Sequence, residues 1–254
     1  MTESAFYHTL LVGFFAAAPL TFLLLLFVDA PYGRHVGSVW QGPTINNRLA
    51  WVVMEAPAPL VFAFCFLIGA SRSAAAMWVF LLMWESHYVY RAFIYPFTLR
   101  GARKRMPLLV AALGFTFNVL NGYLNGRYLF SLSGGYPDRW LLDPRFLLGL
   151  PLFVGGAVIC RRSDAILRHL RTPGESGYKI PYGGPYRWVS APNYLGEIIQ
   201  WGGWAIATWS VAGLAFFVWV IANLVPRARA HHRWYRGHFA DYPPQRRALL
   251  PGLW

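Results

Sequence analysis

Charge is scarce in this chain. Charged residues make up 13% of 254, against the roughly 25% usual for a soluble domain. Acidic residues are rarest, ten against 23 Lys and Arg, and only Lys104 and Lys179 among those cations are lysine. An ordinary water-covered globular surface is therefore excluded. The two cysteines, Cys65 and Cys160, lie in apolar segments without metal-ligand spacing. That argues against a disulfide scaffold or a thiolate metal site and leaves buried, inert thiols. No metal site is expected. There is no G-x-G-x-x-G or Walker-type loop, so a nucleotide would need another kind of site. Internal repeats and low-complexity linkers are missing as well, and no soluble basic domain exists to hold nucleic acid.

What the chain has instead is apolar length. Hydrophobic residues reach 56%, aromatics 18%, and mean hydropathy is +0.37. The stretch "FYHTLLVGFFAAAPLTFLLLLFV" (6–28) carries no formal charge. It exceeds the ~20 residues needed to cross a bilayer. Without a cationic lead or a small-residue cleavage site it reads as a retained span rather than a signal peptide. Further spans are predicted at about 49–69, 74–97, 107–129, 145–160, 193–206 and 209–226, the last two divided near Trp209 and Ser210. The expected fold is all-α: a polytopic integral membrane protein with seven transmembrane helices in one membrane-embedded domain, residues 1–254.

Seven spans segregate the cations. One set of loops holds eighteen of the 23 Lys and Arg, among them Arg100, Arg171 and Arg227. The positive-inside rule then places the C-terminus in the cytoplasm and the N-terminus outside. A net charge of +13 on one face suits anionic headgroups. The preference for Arg over Lys also suits planar, bidentate phosphate contacts. The two long loops, 29–48 and 161–192, lie on this same cytoplasmic side, where long ordered loops usually build a site.

Polar groups inside the spans mark function by default, because a carboxylate at membrane depth costs several kcal/mol unless protonated, paired or facing a cavity. Three of the ten acids sit there: Glu55, Glu85 and Glu197. Pro57 and Pro59 break the helix beside Glu55 and free backbone carbonyls. Glu85 reads more simply as a structural partner of Arg91 or His87. Tyr88, Arg91 and Tyr95 recur at i, i+3 and i+7 on one helical face, which suggests a wet, anion-accepting cavity. Asn193, Glu197 and Trp201 recur at i, i+4 and i+8, as do Arg227, His231 and Tyr235. Asp164, Arg168 and Arg171 line a polar helix in the long loop. Cations for phosphates, carboxylates for ribose hydroxyls and an amide for a carboxamide are the parts a dinucleotide needs.

Those residues belong to recognisable motifs. "SDAILRHLRTPGESGYKIPYGG" followed by "WVSAPNYLGEIIQWGGWAIATWS" resembles the C-terminal signature of the steroid 5α-reductase family. "HYVYRAFIYP", "PYGRH" and "AHHRWYRGHFADYPPQRRALLP" resemble its third span, first loop and tail, so the likeness runs from about residue 30 to the end. The resemblance implies a 3-oxo-5α-steroid 4-dehydrogenase that uses NADPH to reduce the 4,5 double bond of a 3-oxo-Δ4 steroid, with hydride going to C5. It puts Glu55 and Tyr88 at the C3 carbonyl, where enolate charge develops. A protonated Glu55 in apolar surroundings donates there, beside Tyr88. It further implies that Asn193 and Glu197 hold the nicotinamide end of NADPH. Asp164, Arg171 and Tyr178 would follow the adenosine and phosphates, with Arg227, His231 and Tyr235 closing from the tail. Tyr32, Arg91, Tyr95 and Arg100 would complete the pocket.

Three positions depart from the family pattern: Met54 stands for Gln, Leu99 for Asn and Cys160 for Asn. Competing readings are a trans-2-enoyl-CoA reductase, an S-adenosylmethionine-dependent membrane methyltransferase and a non-catalytic lipid-binding or scaffold protein. The full "PGESGYKIPYGG" and Glu55 favour the steroid. Ser190-Ala191-Pro192 stands where the methyltransferases read Arg-His-Pro. Expected partners are a steroid or related polycyclic enone lipid and the surrounding membrane lipids, with the chain a monomer. Compact loops without a retention signal point to a bacterial inner membrane rather than the endoplasmic reticulum.

Overall fold

The structure is a computed structural model and describes residues 2–28, 42–99, 104–170 and 177–254. Helix dominates, as a chain expected to satisfy its backbone inside lipid requires. The first helix, α1 (Glu3–Phe27), is followed by a short strand β1 (Thr44–Asn46), then α2 (Asn47–Glu55) and α3 (Pro57–Ile68). Next come α4 (Ala75–Val89), which continues through a π-turn (Tyr90–Ile94) into a last turn Tyr95–Thr98, and strand β2 (Arg105–Pro107). Helices α5 (Leu108–Arg127), α6 (Pro144–His169), α7 (Pro192–Thr208) and α8 (Val211–His238) complete the order. Among the described residues, five helical stretches are long and apolar enough to cross a membrane: Glu3–Phe27, Asn47–Ile68, Leu108–Leu132, Pro144–His169 and Val211–His238. The chain is a membrane protein. It forms two compact units, one of Met1–Gly13 with Ala30–Phe146, the other of Phe14–Asp29 with Leu147–Trp254.

In the first unit the second span is two helices. Asn46 caps α2, its Oδ1 accepting the amide hydrogens of Arg48 and Leu49. Pro57 then opens α3 at N1, where a missing N–H costs least. The antiparallel pairing of Ile45 with Met106 brings the entries of α2 and α5 together. Trp84 on α4 stacks on Phe62 at 4.5 Å and donates its indole hydrogen to the Ala58 carbonyl at 3.1 Å, beside the break. The π-turn at Tyr90–Ile94 precedes Pro96, whose missing N–H disturbs the α-helical ladder just there.

Asp143 starts α6. Its carboxylate accepts the Arg145 amide hydrogen at 2.9 Å and both guanidinium contacts at 2.8 Å. The Arg145 side chain, and then its backbone N–H, draw the carboxyl down to about 2. A depressed carboxyl stabilises the fold above its unfolded value of about 4 and loses that effect as pH falls towards 2. Asp143→Ala is therefore expected to lower the thermal midpoint by a few degrees at pH 7. Below roughly pH 4 the difference from wild type should narrow; a gap that stays constant with pH would assign the loss to packing instead.

In the second unit α6 and α7 run antiparallel with their backbones nearly touching. A Cβ on Gly156 would lie 2.3 Å from the Gln200 nitrogen, and one on Gly203 would lie 2.4 Å from the Phe153 nitrogen. Gly149 opposes Gly203 and Gly156 opposes Gly196, so glycines seven apart on one helix meet glycines seven apart on the other. Small residues that admit close backbone approach are a common basis for helix packing in membranes. Trp209 ends α7 in the left-handed region (φ 46°), and Ser210 caps α8 by accepting the Gly213 amide hydrogen at 2.9 Å.

Two expectations are corrected here. The polar stretch after residue 160 is no separate loop helix: α6 runs on through Asp164 and Arg168 to His169. Likewise α8 extends past 226 to His238, placing Arg227, His231 and Tyr235 on one continuous helix. Neither polar segment contains a proline, and Pro226 is absorbed within α8. Residues Tyr32, Arg100 and Arg171 lie outside the described residues, as do the "PYGRH" and "PGES" motifs.

Candidate active site

Each unit carries a polar cluster built on its own helices that holds predicted site residues. In the first, Glu55 is the last residue of α2, half-buried at the break before Pro57. The carbonyl of Met54 accepts a hydrogen from Asn118 Nδ2 on α5 at 2.8 Å. Tyr88 on α4 is buried against Trp84, ring centroids 4.8 Å apart. Its hydroxyl oxygen receives a hydrogen from Asn121 Nδ2 at 3.3 Å. Asn125 donates in turn to Asn121 Oδ1 at 3.0 Å. Sequence reasoning passed over Asn118, Asn121 and Asn125, although "FNVLNGYLNGR" places them at i, i+3 and i+7 in an apolar span.

The predicted stripe of Tyr88, Arg91 and Tyr95 divides. Arg91 sits over the rings of Trp51 and Tyr95 at 4.8 and 4.7 Å, a cation held by aromatic faces, while Tyr88 turns to α5. Glu85 forms neither of its expected pairs: its Oε1 is buried with no hydrogen-bond partner among the described residues. The departures from the family pattern also acquire places. Met54 drops its side chain over Gly114, where an added Cβ would meet the Met54 sulfur at 2.5 Å. Leu99 offers its carbonyl to Arg48 Nη2 at 3.4 Å.

The second cluster continues the α6–α7 contact beyond its glycines. Cys160 Sγ points its hydrogen at Glu197 Oε1 at 3.8 Å, and Asn193 Nδ2 donates to buried Asp164 Oδ1 at 3.3 Å. Arg227 on α8 donates to the Tyr194 hydroxyl at 3.1 Å and to Asn223 Oδ1 at 2.7 Å. His231 Nε2 reaches the same Tyr194 hydroxyl at 3.0 Å. Tyr194 is thus the joint between α7 and α8, a role the sequence reading did not assign to it. Tyr235 lies apart from that joint, stacked on Tyr242 at 5.2 Å in an aromatic cluster with Ile180. Tyr178 joins the cluster's edge against Trp234 at 5.1 Å.

The returning tail holds the entry to α7. Ser190 donates its amide hydrogen to the Arg247 carbonyl at 2.8 Å, and Ala191 to that of Ala248 at 3.2 Å. The Ser190 hydroxyl gives its one hydrogen to the Arg247 carbonyl and so accepts from Tyr242 at 2.6 Å and from His232 Nδ1 at 2.7 Å.

Residues 104–254 match the family model described as 3-oxo-5-alpha-steroid 4-dehydrogenase. The bovine (Bos taurus) protein named 3-oxo-5-alpha-steroid 4-dehydrogenase 1 is 43% identical over 94% of this chain and 93% of its own length. Steroid 5-alpha-reductase DET2 of Arabidopsis thaliana is 38% identical over 99% of this chain and 98% of its own. The chain belongs to the steroid 5α-reductase family. This is an oxidoreductase family, and the human relative, 43% identical over 89% of this chain, carries the same name as the bovine one. The residues of both clusters lie within the stretches these alignments cover almost from end to end.

Proposed function

We propose that the protein is an NADPH-dependent 3-oxo-5α-steroid 4-dehydrogenase, reducing the 4,5 double bond of 3-oxo-Δ4 steroids to 5α-dihydrosteroids. The observation that carries this reading is that Tyr88 and the backbone beside Glu55 are both tied to one helix. Asn118 of α5 holds the carbonyl just before Glu55, and Asn121, one turn on, holds the Tyr88 hydroxyl. Two proton-bearing groups set by one rigid element are what a ketone oxygen needs as it gains charge.

In this reading Glu55, protonated, and Tyr88 donate hydrogen bonds to the C3 oxygen. That withdraws electrons from C5 and stabilises the enolate formed when C5 accepts hydride. NADPH, when bound, supplies that hydride. C4 then takes a proton, with Tyr88 assisting its delivery, and the C3 carbonyl returns. The second cluster suits the dinucleotide by the chemistry of its donors and acceptors. Asn193 and Glu197 take the nicotinamide end, Asp164 with Arg171 and Tyr178 the adenosine and phosphates, and Arg227, His231 and Tyr235 close from α8. In this reading Tyr32, Arg91, Tyr95 and Arg100 are further NADPH-binding residues. We take the chain as one membrane-embedded domain of seven spans with its C-terminus in the cytoplasm. The excess of cations on that side supports the orientation, and NADPH is found there in bacterial and eukaryotic cells alike.

The test is NADPH oxidation by detergent-purified protein given testosterone or progesterone. A product with a new hydrogen on the 5α face is expected. Binding of NADPH without reduction of either steroid would overturn the substrate and turn attention to enoyl thioesters. Binding of S-adenosylmethionine in place of NADPH would overturn the whole reading.

A further inference from the structure

We infer that Asn121 is a positioning residue that sets the direction of the Tyr88 hydroxyl, and that Asn125 locks Asn121 for that purpose. The inference rests on Tyr88 acting at the substrate carbonyl as proposed above.

The directions follow from hydrogen-bond accounting. Asn125 faces the backbone carbonyl of Asn121 at 3.2 Å. A carbonyl only accepts, so the Asn125 atom there is its amide nitrogen. The same nitrogen lies 3.0 Å from one terminus of the Asn121 side chain, which must then be Oδ1. The other terminus, facing Tyr88 at 3.3 Å, is therefore Nδ2, a donor without acceptor capacity. Tyr88 consequently accepts in this contact, and its own proton is directed to a different acceptor. Were the Asn121 amide reversed, the phenol would spend its proton on α5 and have none to give a ketone. Donation into the phenol oxygen also polarises the O–H bond, as hydrogen-bonded chains do.

Burial makes the arrangement stiff. Asn121 is fully buried and Asn125 nearly so, and neither amide can rotate without orphaning a buried polar group. Gly122, which follows Asn121, approaches the Ala58 carbonyl, so α5 packs tightly on α3 at this level. Asn118 completes the stripe by holding the Met54 carbonyl next to Glu55. A helix held by packing alone has no need of three directed amides in a row.

The experiment measures kcat, the steroid KM and NADPH affinity for Asn121→Leu, Tyr88→Phe and the double variant, using testosterone as the probe. Asn121→Leu is expected to lower kcat about tenfold while NADPH affinity stays unchanged. In the Tyr88→Phe background the same substitution should change kcat less than about twofold, because the group it orients is gone. An equal fall in both backgrounds would make Asn121 a packing residue and overturn the inference, as would wild-type turnover in Asn121→Leu. If Tyr88→Phe itself turns over like wild type, the assignment of Tyr88 fails first, which the single variant reports independently. Should Asn121→Leu not fold, the smaller Asn121→Ala likewise removes the donor to the phenol. It is expected to show a similar fall, and full activity in that variant would also overturn the inference.

Discussion

Glu55→Leu is expected to reduce turnover of a 3-oxo-Δ4 steroid by about 10²–10³ while leaving NADPH binding intact, the effect of removing one donor from an oxyanion site. The companion variant Glu55→Gln separates two roles of the carboxyl. If Glu55 only donates a hydrogen bond, the amide replaces it in part and activity falls between wild type and Glu55→Leu. If the group must be an acid, Glu55→Gln falls as far as Glu55→Leu. Unimpaired turnover in Glu55→Leu would remove Glu55 from the chemistry altogether. The residue's position makes the prediction sharp: it ends α2, directly before the Pro57 break, so its backbone is held from both sides. Removing the side chain leaves that frame standing.

The second large effect concerns two adjacent glycines. Gly156→Ala would place a methyl 2.3 Å from the Gln200 nitrogen and 2.5 Å from the Gly196 carbonyl oxygen. Both are backbone atoms of α7, so relief requires the helices to part. We expect a loss of about 3 kcal/mol or more, the upper end of overpacking costs. Gly155→Ala meets nothing within 4 Å. It should be neutral or stabilise by up to about 1 kcal/mol, through helix propensity alone. The thermal midpoint in detergent tests the pair, and equal behaviour of the two variants would refute the close α6–α7 approach. Because Cys160 and Glu197 meet one turn beyond this contact, Gly156→Ala should also weaken NADPH affinity. A variant that melts early yet binds NADPH normally would separate the packing seam from the residues proposed to hold the cofactor.

Much of this protein is legible in its sequence. Low charge and long apolar runs identify lipid as the solvent, and five of the seven expected spans reappear as helices of spanning length and hydropathy. The break before Pro57 was readable because proline removes a donor wherever it stands. Asn193, Asp164, Arg227 and His231 stood out as polar groups on apolar or Arg-rich helices, and the structure pairs Asn193 with Asp164 and Arg227 with His231 through Tyr194. The Asn stripe of α5 is a fainter signal, because neutral amides at membrane depth cost less than carboxylates do.

What remained was decided between helices. Periodicity tells which residues of one helix share a face, but not which face of which neighbour they meet. "VGGAV" cannot reveal that Gly156 touches α7 while Gly155 does not, since that depends on the register of two antiparallel helices. Nor can "FNVLNGYLN" orient an amide: the direction of Asn121 towards Tyr88 comes from the backbone carbonyl that Asn125 must satisfy. The same holds for the end of α7, where an apolar run continues across Trp209 and only a left-handed residue followed by the Ser210 cap divides it. Composition and pattern decided what each segment is made to bury. Tertiary contact alone decided which hydrogen goes to which oxygen.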